Sequence, residues 1–156
     1  MAEKLDIGDR FPSMTLSLVG GGTVNLPGLS DAKYQMVLFY RGHWWPFCRR
    51  QLVGFKSENT ALETLGVKVF AASIDPEDKA KEVSDEVTYP VGYGVTYEQA
   101  TLLGSWWEDR RKIIQPSEFL LDANGFVLLS SYSAGPLGRV DATDVVRLVK
   151  FLEKRK

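Results

Sequence analysis

The sequence has one cysteine, Cys48, and one histidine, His43. A single thiol excludes an internal disulfide framework, and one Cys with one His cannot complete a usual tetrahedral zinc site. No stretch approaches the roughly 18 consecutive apolar residues of a membrane-spanning helix, and the opening MAEKLDIGDRF has no apolar core of signal-peptide length. Neither sign of charge prevails. The 19 Lys and Arg against 20 Asp and Glu leave a net charge of -1, so no global field draws nucleic acid or an anionic membrane. These absences predict a cytoplasmic protein with no nucleic acid and no membrane among its partners, and with no metal or cofactor. Any sulfur chemistry is the chemistry of one sulfur.

What is present fits one core. A chain of 156 residues that is 44% hydrophobic is about one domain's worth, read here as a single domain over residues 1–156. Met14, Leu16 and Leu18 alternate, Gly20 to Gly22 follow, and Val24 and Leu26 resume the alternation. This predicts a β-hairpin with a glycine turn. The glycines do not form a phosphate loop, which must lead into a helix N-terminus. YQMVLFY, Tyr34 to Tyr40, reads as a central strand buried on both faces. After a turn holding Gly42 and Pro46, the spacing of Leu52, Phe55, Leu62 and Leu65 predicts one helix, with Gly66 closing it. Val67 to Ile74 is a second buried strand, so the pair implies a parallel crossover.

Downstream, Pro76 to Val87 reads as a charged surface helix begun by its proline. YEQATLLGSWWEDRRK reads as a helix or helical turn carrying Leu102, Leu103, Trp106 and Trp107. SEFLLD, ANG and FVLLSSYS spell a second hairpin after Pro116. From Asp141 an amphipathic helix presents Val145, Leu148, Val149 and Leu152 on one face. The predicted order is a β-hairpin, β, α, β, α, α, β, β, α.

The chemistry concentrates in FYRGHWWPFCRRQL, Phe39 to Leu52. A cysteine in the first turn of a helix meets free backbone amides and the positive end of the macrodipole, which favour thiolate over thiol. Arg41, Arg49 and Arg50 stand within a few residues. Thiolate is the species that attacks a peroxide O–O bond to give a sulfenic acid. The bland alternative is that Cys48 is a small buried hydrophobe. His43 is five residues away across a turn and reads as a solvent-facing loop residue before it reads as a base, since a base needs hydrogen-bond reach. Trp44 and Trp45 read as packing groups walling a small pocket.

The order of elements, the Cys-bearing turn between a buried strand and a helix, and the proline before the later hairpin resemble the thioredoxin fold. The details resemble the peroxiredoxin branch, the alkyl hydroperoxide reductase and thiol-specific antioxidant family. Gly8, Asp9, Pro12, Met14 and Leu16 match its opening G-D-x-x-P-x-(F)-x-L pattern, and Phe119, Asp122 and Gly125 match its late F-x-x-D-x-x-G hairpin. The resemblance runs from Ile7 to about Gly138. It implies an α/β thioredoxin-like fold, a central mixed sheet flanked by helices with an N-terminal hairpin extension. It also implies a thiol peroxidase with Cys48 in the peroxide-attacking position and Trp45, Pro46, Arg41 and Pro116 around it. The implied partners are a hydroperoxide substrate and an external thiol reductant of the thioredoxin, glutaredoxin or glutathione type; a homodimer is one option for assembly.

Three positions depart from the family pattern. Arg41 replaces the proline of P-x-x-x-(T/S)-x-x-C. Trp45 replaces the hydroxyl residue, and an indole N–H donates a hydrogen bond but accepts none. Pro116 stands where an arginine is expected, so Arg41, Arg110 or Arg111 must supply that charge if any residue does. Pro116 instead resembles the thioredoxin-type proline, which implies a cis Gln115–Pro116 bond. Gln51 takes the place of a glutamate. Two alternatives follow: a catalytically weakened redoxin acting as a binding protein, or a thiol-disulfide oxidoreductase whose first Cys or selenocysteine is replaced by Trp45.

Overall fold

A computed structural model describes residues 3–29 and 31–156. The first alternating run forms a hairpin of β1 (Met14–Leu18) and β2 (Thr23–Leu26), with Met14 opposite Leu26. Gly20, Gly21 and Gly22 turn it at positive φ, a conformation costly for any residue with a Cβ. The apolar run that follows is β3 (Tyr34–Phe39), buried along its whole length. It pairs in parallel with β4 (Val67–Ala72), as the crossover reading requires.

Between these strands the single predicted helix is two. Helix α1 (Pro46–Ser57) ends and α2 (Asn59–Thr64) begins around Glu58, whose ψ of 6° is no longer helical. The Ser57 hydroxyl donates to the Val53 carbonyl, the kind of back-bonding that bends helices. Gly66, at φ +81, closes the segment as expected. Helix α3 (Glu77–Ser84) starts after Pro76 and leads to the short β5 (Val91–Tyr93), which the sequence reading did not anticipate. Helix α4 (Tyr97–Leu103) carries a Thr96–Gln99 capping box and stops at Gly104, φ 74.

Trp106 and Trp107 therefore lie outside the helix or helical turn they were expected to join. Trp107 opens β6 (Trp107–Glu108), which pairs with β7 (Ile113–Ile114) as a separate small hairpin. Strands β8 (Ser117–Asp122) and β9 (Val127–Tyr132) form the second predicted hairpin, and α5 (Ala142–Lys154) closes the fold. The Gln115–Pro116 bond is trans; the cis X-Pro bond among the described residues is Leu26–Pro27. The expected cis bond is thus corrected. Residues 113–122 run from one strand into the next through Pro116, whose carbonyl accepts from the Ser133 amide, and a trans bond keeps that extended course.

The seven-stranded sheet has the order β2-β1-β5-β4-β3-β8-β9. It is mixed: β3, β4 and β5 are parallel, while β8, β9, β1 and β2 join antiparallel. Alternate residues of β3 feed two cores. Tyr34, Met36 and Leu38 meet α1, α2, α3 and α5 on one face, through Leu52, Phe55, Leu62, Val83 and Val145. Val37 and Phe39 meet Phe11, Phe119, Ala100 and Leu103 on the other. Each fully buried Leu or Phe contributes about 1.5–3 kcal/mol of transfer free energy. This packing holds the C-terminal end of β3 and the start of α1 in place, and Cys48 lies between them. Among the described residues, no helix is long and apolar enough to cross a membrane.

Candidate active site

Pro46 takes the first position of α1, where its missing N–H costs no helical hydrogen bond. Cys48 therefore falls at the third position, in the first turn, among amides with no intrahelical partner. The side chain is fully buried in the core between the sheet and α1. Its Sγ receives the backbone N–H of Arg41 at 3.4 Å, which ties the end of β3 to the start of the helix.

Two residues of this turn have evident local causes. Gly42 is buried, and a Cβ there would come within 2.5 Å of the Trp44 ring. The Trp45 amide donates to the Gly42 carbonyl at 3.5 Å, closing the turn, and the Trp45 carbonyl accepts the Arg49 amide at 3.0 Å as α1 begins.

Of the three cations near Cys48 in sequence, only Arg41 turns inward. Its guanidinium is buried, lies 4.1 Å from the centre of the Trp45 ring, and donates to Glu108 Oε2 at 3.2 Å. Arg111 reaches the same ring at 5.3 Å and donates to Glu108 Oε1 at 2.5 Å. Two guanidinium groups that share one carboxylate thus lie against the Trp45 ring. Neither guanidinium hydrogen-bonds Sγ; among the described residues, the hydrogen bond at the sulfur comes from the Arg41 backbone. Arg49 turns away, donating to the His43 carbonyl and pairing with Glu86 of the segment after α3. Arg50 is exposed beside the Phe47 ring, and Arg110 is exposed.

His43 is no free loop histidine. Its backbone N–H donates to Asp75 Oδ2 at 2.9 Å, and its Nδ1 lies 3.2 Å from Asp75 Oδ1. Asp75 is itself buried just beyond β4, so it anchors the turn from the adjacent strand. Pro116 is buried at the start of β8. The β3–β8 register pairs Phe39 with Ser117; continued one step, it sets Tyr40 across from Pro116 and then Arg41 across from Gln115.

A second polar group lies one helical turn along α1. Gln51 donates to the Val140 carbonyl and accepts from Arg139 Nη1 at 3.2 Å. The Val140 amide donates to Glu118 Oε1 at 3.0 Å. Burial pushes the Glu118 carboxyl up to about 7, against the opposing pull of the Val140 N–H, Arg139 and Gln51. Sequence reasoning missed Asp75, Glu108, Gln115, Glu118 and Arg139. Only Glu118 carried a signal, as a charge inside an otherwise apolar strand.

A helix-borne thiol at the end of a central strand, under an arginine and an aromatic wall, is a redox-type site on a thioredoxin-like sheet. Residues 7–130 match the AhpC/TSA family. The chain belongs to that family. A curated peroxiredoxin of Treponema denticola is 26% identical over 155 residues, covering 94% of this chain and 73% of that protein. One from Chlorobaculum tepidum is 25% identical, covering 94% and 72%. Among solved structures, Mycobacterium tuberculosis AhpC superposes with a TM-score of 0.83 at 18% identity, covering 98% of this chain and 96% of that one. A peroxiredoxin-like protein from Aquifex aeolicus gives 0.81 at 20%, covering 97% and 90%. The structural likenesses establish a peroxiredoxin-type, thioredoxin-like fold. The chain is thus a peroxiredoxin-like protein, an oxidoreductase of the thiol-peroxidase kind.

Proposed function

We propose that this protein reduces hydrogen peroxide or organic hydroperoxides through Cys48 alone, and that an external thiol of the thioredoxin, glutaredoxin or glutathione type restores the sulfur. The observation that carries the reading is the placement of Cys48 in the first turn of α1, with the Arg41 amide at its Sγ. That position lies within the span matched to the family. The sequence holds one cysteine, so a resolving thiol must come from outside it. Trp45, Pro46, Arg41 and Pro116 form the supporting wall, and a cytoplasmic setting would supply the thiols.

In the reaction the Cys48 thiolate attacks one peroxide oxygen, the S–O bond forms, the O–O bond breaks, and sulfur is oxidised by two electrons to sulfenic acid. The departing alkoxide or hydroxide takes a proton from water. Two molecules of the external thiol then reduce the sulfenic acid back, releasing water and leaving as their disulfide. Because Cys48 is fully buried, peroxide reaches it only when the wall shifts.

Full burial of the sulfur, with no guanidinium bonded to it, favours a second reading: a weakened redoxin that binds a partner, alone or as a homodimer. One experiment separates the two. The reduced protein is mixed with hydrogen peroxide, and sulfenic acid is trapped with dimedone and read by mass. A one-oxygen oxidation at Cys48 that disappears in Cys48→Ser, together with thiol-dependent peroxide turnover, is expected. A wild-type protein no more reactive than a simple peptide thiol would overturn the peroxidase reading.

A further inference from the structure

Residues 133–140, between β9 and α5, form a strap laid against α1. Inside it, the Ser133 hydroxyl bonds the Leu137 carbonyl and Arg139 Nε donates to the Pro136 carbonyl at 2.8 Å. Few groups tie it to the sheet and to α1. The Ser133 amide donates to the Pro116 carbonyl at 3.0 Å. At the other end, two side chains share the work. Glu118 Oε1 accepts the Val140 amide at 3.0 Å, while Gln51 donates to the Val140 carbonyl at 3.1 Å and accepts from Arg139 Nη1 at 3.2 Å. A cavity of about 230 Å3 separates strap and helix beside these bonds, lined by Phe47, Arg50 and Gly54 of α1 and by Leu137 of the strap.

Glu118 holds the strap from beneath. It lies on the same sheet face as Leu38, its partner in β3, and Leu120, and it is 1% exposed. A carboxylate there is solvated only by what the strap and α1 bring to it. Among the described residues, Glu118 Oε2 and Arg139 Nη2 are both buried without a hydrogen-bond partner, so an acid and a base share one cluster with no bond between them. The other neighbours are neutral or exposed. Strand β3 sets Leu38 and β9 sets Ser131 beside Glu118, α1 brings Gln51, and Tyr40 and Cys48 lie buried in the core on that face. Helix α5 turns Ala142, Val145 and Val146 inward and keeps Asp144 and Arg147 exposed, as is its cap Asp141. Burial therefore outweighs the Val140 N–H, Arg139 and Gln51, and lifts the carboxyl to about 7.

We propose that the strap is a proton-controlled cover on the cysteine-bearing helix: protonated Glu118 keeps it closed, and ionised Glu118 releases it. In the closed form the carboxylate is dry, whereas opening moves Arg139 and Val140 aside and lets water reach both oxygens. The open form returns Glu118 toward its ordinary 4.5, so between that value and about 7 the closed form holds the extra proton. Raising the pH through this window shifts the strap from closed to open, and above it the shift levels off. Release also frees both polar ends of Gln51, one helical turn past Cys48, and widens the cavity beside Phe47 and Arg50. The proton on Glu118 thus sets how firmly this side of α1 is held.

Amide hydrogen exchange of the whole protein at low urea tests this, because local opening hardly depends on denaturant and global unfolding does. At each pH the Val140 amide of wild type is compared with that of Glu118→Gln, which keeps the acceptor and cannot ionise; the ratio cancels the intrinsic pH dependence of exchange. Between about pH 5 and 8 the opening of wild type is expected to gain on the order of 10- to 100-fold on the variant, most of it below about pH 7. Amides of the β3–β8 pairing should exchange more slowly than Val140 throughout. Trypsin cleavage after Arg139, scaled to a free peptide at each pH, should rise in the same way and needs wild type alone, should the variant fold poorly. A Val140 ratio that does not change with pH overturns the cover. So does a strap that tightens at high pH, which would mean that ionised Glu118 captures Arg139 Nη2. Val140 exchange with the full urea dependence of the β3–β8 amides would also overturn it, since Glu118 would then act on global unfolding only. None of these readouts needs peroxide, so their outcome is separate from that of the peroxidase reading.

Discussion

The Arg41 guanidinium carbon lies 4.1 Å from the centre of the Trp45 ring, and Trp45 caps the helix that holds the only thiol of the chain. Glu108 sets this pair. It takes Arg41 on one carboxylate oxygen and Arg111 on the other, so a residue of the β6–β7 hairpin holds both guanidinium groups against the Trp45 ring. The Arg41 pair is only 5% and 19% exposed at its side chains, which places it well away from the weak, screened pairs of an open surface.

Glu108→Gln should therefore loosen the wall. Removing one partner of a largely buried pair costs a few kcal/mol, and each 1.4 kcal/mol is a factor of ten in the population of an opened state. Labelling of Cys48 by a neutral disulfide reagent is expected to accelerate roughly tenfold or more. Labelling at the wild-type rate would show that opening does not pass through Glu108.

Trp45→Cys tests whether this turn accepts a redox pair. The change gives Cys-x-x-Cys across the start of α1, a spacing that closes readily. The variant is expected to lose two hydrogens on oxidation, by mass, and to regain them with dithiothreitol. Thiol-disulfide reductase turnover above that of the Trp form would favour the reading in which Trp45 stands for a lost Cys or selenocysteine. Two free thiols after oxidation, with no added turnover, would leave the indole as a working part of the site.

Glu118 predicts a pH dependence of stability. Its carboxyl titrates about 7 in the folded protein and at its ordinary 4.5 when unfolded, so between these values the folded state binds the extra proton. Stability then falls as pH rises through that window and stays lowered above it. Glu118→Gln removes the effect while retaining an acceptor for the Val140 amide. Urea midpoints of the two proteins should nearly coincide at pH 4.5, and at pH 8 the variant should be more stable by on the order of 1–3 kcal/mol. A constant difference between the two proteins at all pH values would show that Glu118 does not titrate in this range.

Local pattern sufficed for much of the fold. The Met14–Leu26 hairpin, the buried run at Tyr34, the crossover to Val67, the late hairpin and the last helix all follow from hydrophobic period and glycine placement, which act over a few residues. The same holds for Cys48: a lone cysteine after Pro46 at a strand-to-helix turn is visible in fourteen letters, and so is the likeness to peroxiredoxins. The helix read through Glu58, the tryptophans assigned to α4 and the cis bond at Pro116 were misread because side-chain back-bonding, the stop at Gly104 and the strand run through Pro116 override local spacing.

The site's chemistry was decided elsewhere. Sequence proximity offers Arg41, Arg49 and Arg50 equally to Cys48; the fold selects Arg41, sends Arg49 to the Glu86 carboxylate and leaves Arg50 in solvent. Glu108 is 67 positions from Arg41 and meets it only through the tertiary fold. Composition and spacing determine that there is one thiol and where the chain presents it. Which charges and donors surround that sulfur depends on contacts between distant segments, because a side chain's partner is chosen by the packing of the sheet and helices rather than by its neighbours along the chain.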